Sequence, residues 1–371
     1  MGHHPEYVRW ILDGARARGL GHVAVAGPAD LAEALPEAEV LPLPELGASL
    51  TGMSPRDARR RTADALRRAV ETTGAASVLA TALDPARVPL ATGLRFSRPV
   101  RIAGILLRAA LHAPPAPSLG GRGRQLANRL VLRGAAANPH LGRVFTLDPD
   151  AVASLRALGL DAVYLPDPVV PPEVTRSRSE TLARYEIDAD RRVALLFGSL
   201  EYRKGLFELL EALALLPPDV ARGLAVALVG TTYDDIRPRL ADAVRQLDGA
   251  SAVQVVFHER FVPDDELNDL VAASDLVLAP YRRHVGSSGV VLRAAAGGRP
   301  VLGPETGQIG REVSRHRLGV TVDTSDPRAI ADGLVRVLRG EGFDAVQAAA
   351  YAEAHSVERF CEVLFDDAPA R

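Results

Sequence analysis

Between residues 193 and 338 the chain repeats a strand-then-helix pattern six times without a break, and this constrains its fold more than any other feature. Short apolar runs at 193–198, 224–230, 253–258, 276–280, 300–302 and 319–322 read as strands. Helical patterns follow them at 206–216, 236–247, 265–273, 289–296, 309–316 and 327–338. Apolar runs this short, bounded by turn residues, suit strands buried on both faces, and the 3.6-residue periods between them suit crossover helices. A Rossmann-like α/β domain with a parallel sheet is expected here.

The first half is less regular. Residues 7–18 carry a helical pattern, and 21–26, 77–83, 100–107, 143–147 and 162–165 can supply strands, so a second α/β domain is expected. Its opening helix has no strand before it, which reads as a domain whose first strand is missing. A length of 371 residues suits two domains of ordinary size. Prolines at 166, 168, 171 and 172 exclude both helix continuation and a central strand, and mark the linker. The expected division is 1–170, 171–343 and a tail, 344–371, whose helix at 345–365 docks back on the first domain.

With 47% hydrophobic residues, 24% charged residues and a formal charge of −2, the chain has the makeup of a globular protein able to bury sizeable cores. The single cysteine, Cys361, excludes an internal disulfide and a cysteine-based zinc site. No long apolar run and no signal-like start occur, so a cytoplasmic location is expected, with no metal and no cofactor. Charge is uneven, however: residues 87–147 hold ten arginines and no Asp or Glu. Such a basic face is either plain solvated surface or attractive to anionic lipid or a phosphorylated acceptor. Arg122, Arg129 and Arg133 share one face of a predicted helix and Leu126 and Leu130 another, the pattern of an interfacial helix. No nucleic-acid-binding motif accompanies the arginines, and no nucleic-acid partner is expected.

Of the 44 basic residues only one, Lys204, is a lysine. It lies in Gly198-Ser199-Leu200-Glu201-Tyr202-Arg203-Lys204-Gly205, between an apolar strand and a helix opening at Leu206. Free backbone N–H groups and the helix dipole make such a turn an anion site, and a compact ammonium suits a phosphate there. The loop is not a Walker sequence, and no Gly-x-Gly-x-x-Gly follows a strand. A second constellation, Tyr281-Arg282-Arg283-His284-Val285-Gly286-Ser287-Ser288-Gly289, follows another strand, and a third, 303–308, contains Glu305. Ser287 and Ser288 either cap the next helix or bond phosphate oxygens. In an open parallel sheet all three loops lie at the carboxyl ends of strands, where ligands bind. Two glycine-rich loops on one edge favour a diphosphate.

In combination, the run from Phe197 to Gly205, Val262-Pro-Asp-Asp-Glu-Leu, Ala273-Ser-Asp-Leu-Val-Leu-Ala-Pro-Tyr and Ala294-Ala-Ala-Gly-Gly-Arg-Pro-Val-Leu resemble the GT-B glycosyltransferases of family 4 over nearly the whole chain. The resemblance implies two facing Rossmann-like domains, the second binding a nucleotide-diphosphate sugar, the first an acceptor (a glycan, a lipid-linked molecule or a small molecule), and a final helix crossing back. It implies retaining, metal-independent transfer. Gly198, Ser199, Arg203, Lys204, Ser287, Ser288 and Gly289 would hold the donor diphosphate, and Arg260, Phe261, Val262 and Arg293 the nucleotide. Gly2, His3, His4, His284 and Glu305 would face sugar or acceptor, and His112 would be the active-site histidine. One departure stands out. The family's Glu-x7-Glu pair falls on Val285 and Arg293, neither of which is acidic. Glu305 is the nearest substitute carboxylate, while Arg293 either meets an extra anionic group or lies on the outer surface of its helix. Without the pair, a catalytically silent scaffold binding a nucleotide or protein partner, or an epimerase or phosphorylase of the same fold, are the alternatives.

Overall fold

A computed structural model describes residues 4–43, 45, 53–109, 111, 119–248 and 251–366. Two compact units emerge, one of Met1–Pro166 with Val357–Arg371, the other of Asp167–Ser356.

In the first unit, β3 (Ser77–Ala80), β4 (Arg101–Leu106), β5 (Leu141–Thr146) and β6 (Ala162–Tyr164) form a parallel sheet in simple chain order, preceded by a separate parallel pair, β1 (Val25–Gly27) and β2 (Val40–Pro42). The strand expected at 21–26 is thus only three residues long and pairs outside the main sheet. The 19-residue helix Pro55–Thr73, capped by Ser54, has no counterpart in the sequence reading. Its buried residues, Thr62, Ala65, Ala69 and Val70, are small, so its arginine-rich sequence carries a buried face made of small residues and not of bulky apolar ones. Ile102, Ile105, Leu106, Val144, Leu155 and Ala162 are almost fully buried around the sheet.

The second unit holds six parallel strands, β7 (Arg192–Phe197), β8 (Leu224–Gly230), β9 (Gln254–Glu259), β10 (Leu276–Leu278), β11 (Val301–Pro304) and β12 (Gly319–Val322). Their order is β12-β11-β10-β7-β8-β9. Succession therefore runs outward from β7 to one edge, returns to β10 beside β7, and runs outward to the other. Val193, Leu195 and Phe197 pack on one side of the sheet and Ala194 and Leu196 on the other, which explains why β7 reads as a continuous apolar run.

The tail differs from the single helix expected at 345–365. Ala345–Ala354 is a helix of the second unit, where the Tyr351 hydroxyl donates to Glu312 Oε2 at 2.7 Å. Val357–Phe365 is a separate helix of the first unit, packed on the opening helix His4–Ala17. Phe360 is fully buried there, edge-on to Tyr7 at 5.0 Å, and a Cβ added to Gly14 would lie 2.6 Å from Cys361 Sγ. The break falls at His355 and Ser356, whose polar backbone and side chains interrupt the apolar stripe; the His355 carbonyl accepts from Val169 N of the proline linker at 2.8 Å.

Candidate functional site

At the reversal of strand order β7 and β10 lie side by side, and the switch-point crevice outside the carboxyl ends of such strands is the position where open α/β sheets bind ligands. The loop after β7 is a turn of 3-10 helix, Tyr202–Lys204, ended by Gly205 in the left-handed region (φ 68°). Gly205 also opens the helix Leu206–Leu213. A Cβ on Gly205 would overlap the Pro280 carbonyl oxygen, so only glycine lets the two loops come this close. Arg282 N donates to the Arg203 carbonyl at 2.7 Å and ties them together.

Lys204 is buried at 4% exposure. Its ammonium donates to the Phe197 carbonyl oxygen and sits 5.5 Å from the centre of the Tyr281 ring. It has no carboxylate partner among the described residues, and two of its three N–H donors are left over. Burial, with Arg203 adding like charge, pushes its pKa down to about 7. Above the ammonium lies Gly198, itself exposed and left-handed (φ 90°), where a Cβ would come 3.1 Å from Nζ. The glycine thus leaves the buried charge approachable from the crevice. The Ser199 hydroxyl beside it makes no hydrogen bond among the described residues. Arg203, exposed, pairs with Glu201 at 2.7 Å and lies 3.4 Å from His284 Nδ1.

On the β10 side, Arg283 and Gly286 both take positive φ (50° and 121°). Ser288 occupies the N-cap position of the helix Gly289–Ala296, but its side chain makes no capping bond, and no atom lies within 4 Å of where a Gly289 Cβ would be. The side of Gly289 where a Cβ would stand is therefore open, while Val291 N already donates to the Ser288 carbonyl at 3.0 Å. Ser287 is committed elsewhere: its hydroxyl donates to Asp167 Oδ2 of the linker at 2.9 Å. His284 Nε2 lies 3.1 Å from the Ser287 carbonyl and its ring is edge-on to Tyr281 at 5.2 Å. Glu305, at the end of β11, is exposed, and its carboxylate forms no hydrogen bond or ion pair among the described residues.

Residues read as nucleotide ligands divide sharply. Phe261 is 69% exposed and Val262 packs at the margin of the core. Arg260 instead donates to Glu266 Oε2 at 2.9 Å and to the Tyr185 hydroxyl at 2.8 Å, and Arg184 joins Glu266 at 2.8 Å. These bonds hold the Glu266 carboxyl down at about 2, with Arg260 the main cause. Arg293 donates to Asp264 Oδ1 at 2.6 Å and Asn268 Oδ1 at 2.9 Å, so its charge is already met within the protein. Gly2, His3 and His112 lie outside the described residues; His4 begins the opening helix, and its side chain is also outside them. Sequence reasoning passed over Tyr281, whose ring receives both Lys204 and Arg203 (Cζ at 5.7 Å), and Asp167; only their places beside the second loop and in the linker hint at these contacts.

Residues 191–340, which contain all three loops, match the family model described as glycosyl transferases group 1. The match falls wholly within the second unit. A D-inositol 3-phosphate glycosyltransferase of a Nocardioides species is 34% identical over 181 residues, covering 45% of this chain and 38% of that protein. Another, from Thermobispora bispora, is 29% identical over 243 residues, covering 62% and 54%. The chain spans about half or less of the length of these curated relatives. Among solved structures, sucrose-phosphate synthase from Thermosynechococcus elongatus is similar with a TM-score of 0.69 at 16% identity, over 97% of this chain and 91% of that one. The Anabaena protein HepE in complex with UDP gives 0.67 at 14% identity, over 98% and 95%. The fold is GT-B, with a parallel sheet in each unit.

Proposed function

We propose that the protein is a glycosyltransferase that takes a sugar from a nucleoside diphosphate donor, held with its diphosphate between the loops after β7 and β10, and passes it to a hydroxyl acceptor. The observation that carries this reading is Lys204, an ammonium buried beneath a glycine at the switch point with Glu201 near it but no carboxylate bonded to it among the described residues. A buried charge is costly unless an opposite charge meets it. A diphosphate supplies two negative groups, and the helix that starts at Gly289, with open space where a Cβ would stand, follows the neighbouring strand β10.

The chemistry follows from charge. As the glycosidic bond to the donor breaks, negative charge grows on the leaving phosphate, and Lys204 and Arg203 stabilise it where it develops. This supply of cations supports a metal-independent reaction. Phe261, exposed beyond β9, offers a flat apolar ring to a base two strands from β7, about 10 Å away at ordinary strand spacing. Glu305, with its carboxylate uncommitted, is the group available to sugar hydroxyls in place of the acidic pair absent at Val285 and Arg293. The family match favours retention of anomeric configuration, a role in glycan or glycoconjugate synthesis, and action in the cytoplasm.

The protein is offered UDP-, GDP-, ADP- and TDP-sugars with candidate acceptors, and nucleoside diphosphate release and thermal shift are recorded. Release with at least one donor is the expected result. The Arg293–Asp264 pair favours a second reading, a nucleotide-binding scaffold without turnover, and a thermal shift without release from any donor identifies it.

A further inference from the structure

We propose that the outward face of the helix Leu119–Ala136 in the first unit is a docking surface for an anionic lipid bilayer. This helix buries one side: Leu132 and Ala135 are 2% exposed, and Asn128 is pinned by accepting from Arg87 at 2.7 Å and donating to the Ala109 carbonyl at 3.1 Å. At about 100° per residue, the positions opposite that side are 126 and 130. Both are leucine, and they are 60% and 62% exposed. On a helix that only faces water, this crest is where charged residues belong.

The charges lie alongside instead. Arg122, Arg129 and Arg133 form a stripe next to the two leucines, and Arg124 is exposed as well. None of the four guanidinium groups has a hydrogen bond or ion pair among the described residues, whereas Arg143, in the same carboxylate-free run, is paired with Asp161 at 3.2 Å. The run 87–147, without a single carboxylate, keeps competing negative charge away.

Charge complementarity selects an anionic partner, and the leucine crest selects among anionic partners. A nucleic acid or a polyanion uses the arginines alone. An interface of lipid headgroups over acyl chains uses both, taking the leucines into its apolar layer while the guanidinium groups stay at the phosphates. No helix among the described residues is long and apolar enough to cross a membrane, so the contact is one of surface docking. It stands independently of the donor chemistry above.

The test is flotation of the full chain with vesicles of equal parts phosphatidylcholine and phosphatidylglycerol, against vesicles of phosphatidylcholine alone. Binding only to the former is expected. The triple variant Arg122→Gln/Arg129→Gln/Arg133→Gln is expected to weaken it about a hundredfold, at about fivefold per arginine. The variant Leu126→Ser/Leu130→Ser is expected to weaken it about tenfold, with the melting curve unchanged. Leu126→Trp gives a second readout: the fluorescence of the introduced indole shifts to the blue and is quenched by brominated lipid when vesicles are added. Equal binding to both vesicle types, no binding to either, full retention by the leucine variant, or indole fluorescence in Leu126→Trp untouched by brominated lipid would each overturn the proposal.

Discussion

The two sheets are built from the same parallel strand-and-helix units, yet among the described residues only the second reverses its strand order. In the first unit β3 to β6 follow one another across the sheet, so successive described crossovers lie alike and no strand order reverses. In the second, β10 returns to sit beside β7, and the loops leaving those neighbours meet where Gly205 faces Pro280. The proposed phosphate site thus rests on order as well as on composition: ten arginines in residues 87–147 make a charged surface, while one lysine at the reversal makes a buried charge.

Several substitutions would break or sharpen this contrast. The largest effect is expected from a glycine at the reversal. Gly205→Ala meets the Pro280 carbonyl in a left-handed conformation and should lose about 2–5 kcal/mol of stability, whereas Gly93→Ala in the first unit, also left-handed but with nothing within 4 Å, should lose about 1–2 kcal/mol. Chemical denaturation of both variants checks this, and equal losses would remove the argument for close loop approach.

Next comes Glu266, whose carboxyl is held at about 2 by Arg260, with the Tyr185 hydroxyl and Arg184 adding to it. A depressed carboxyl stabilises the fold above its unfolded pKa near 4.5, and that contribution disappears as pH falls from there toward 2. Glu266→Gln should cost about 1–3 kcal/mol at neutral pH and flatten the acid limb of the stability curve. If the variant matches the wild type at pH 6, the network is not holding the second unit together.

Lys204 gives a slope of the same sign at higher pH, but there the charged form is the one that burial disfavours. Its pKa is about 7 in the folded chain and 10.5 in the unfolded one, so between those values the unfolded chain binds the extra proton and stability rises with pH. Lys204→Met should lose that slope relative to wild type. Smallest is Phe261→Ala, at an exposed ring: stability should stay within about 0.5 kcal/mol while nucleotide affinity falls about fivefold or more through lost stacking. Unchanged affinity would put the base elsewhere.

How much could be read in advance also separates the two units. All six strands of the second show in the sequence because burial on both faces leaves uninterrupted apolar runs such as Val193 to Phe197. In the first unit the Pro55–Thr73 helix is strongly polar overall and buries only small residues and one valine, so no bulky apolar residues mark it, and the pair β1–β2 is too short to announce itself. At the site, the glycines and Lys204 stood out through local sequence, whereas the fates of Arg260 and Arg293 depend on partners such as Glu266, Tyr185, Asp264 and Asn268. A guanidinium reads alike in sequence whether it awaits a ligand or is already bound; the partners decide, and they are set by packing.

The most direct test is calorimetric titration of UDP and GDP, with their nucleosides as controls, into wild type and Lys204→Ala at pH 6.5. The account predicts diphosphate binding weakened about tenfold to a hundredfold with nucleoside binding unchanged. Equal diphosphate affinity in the two proteins would contradict it.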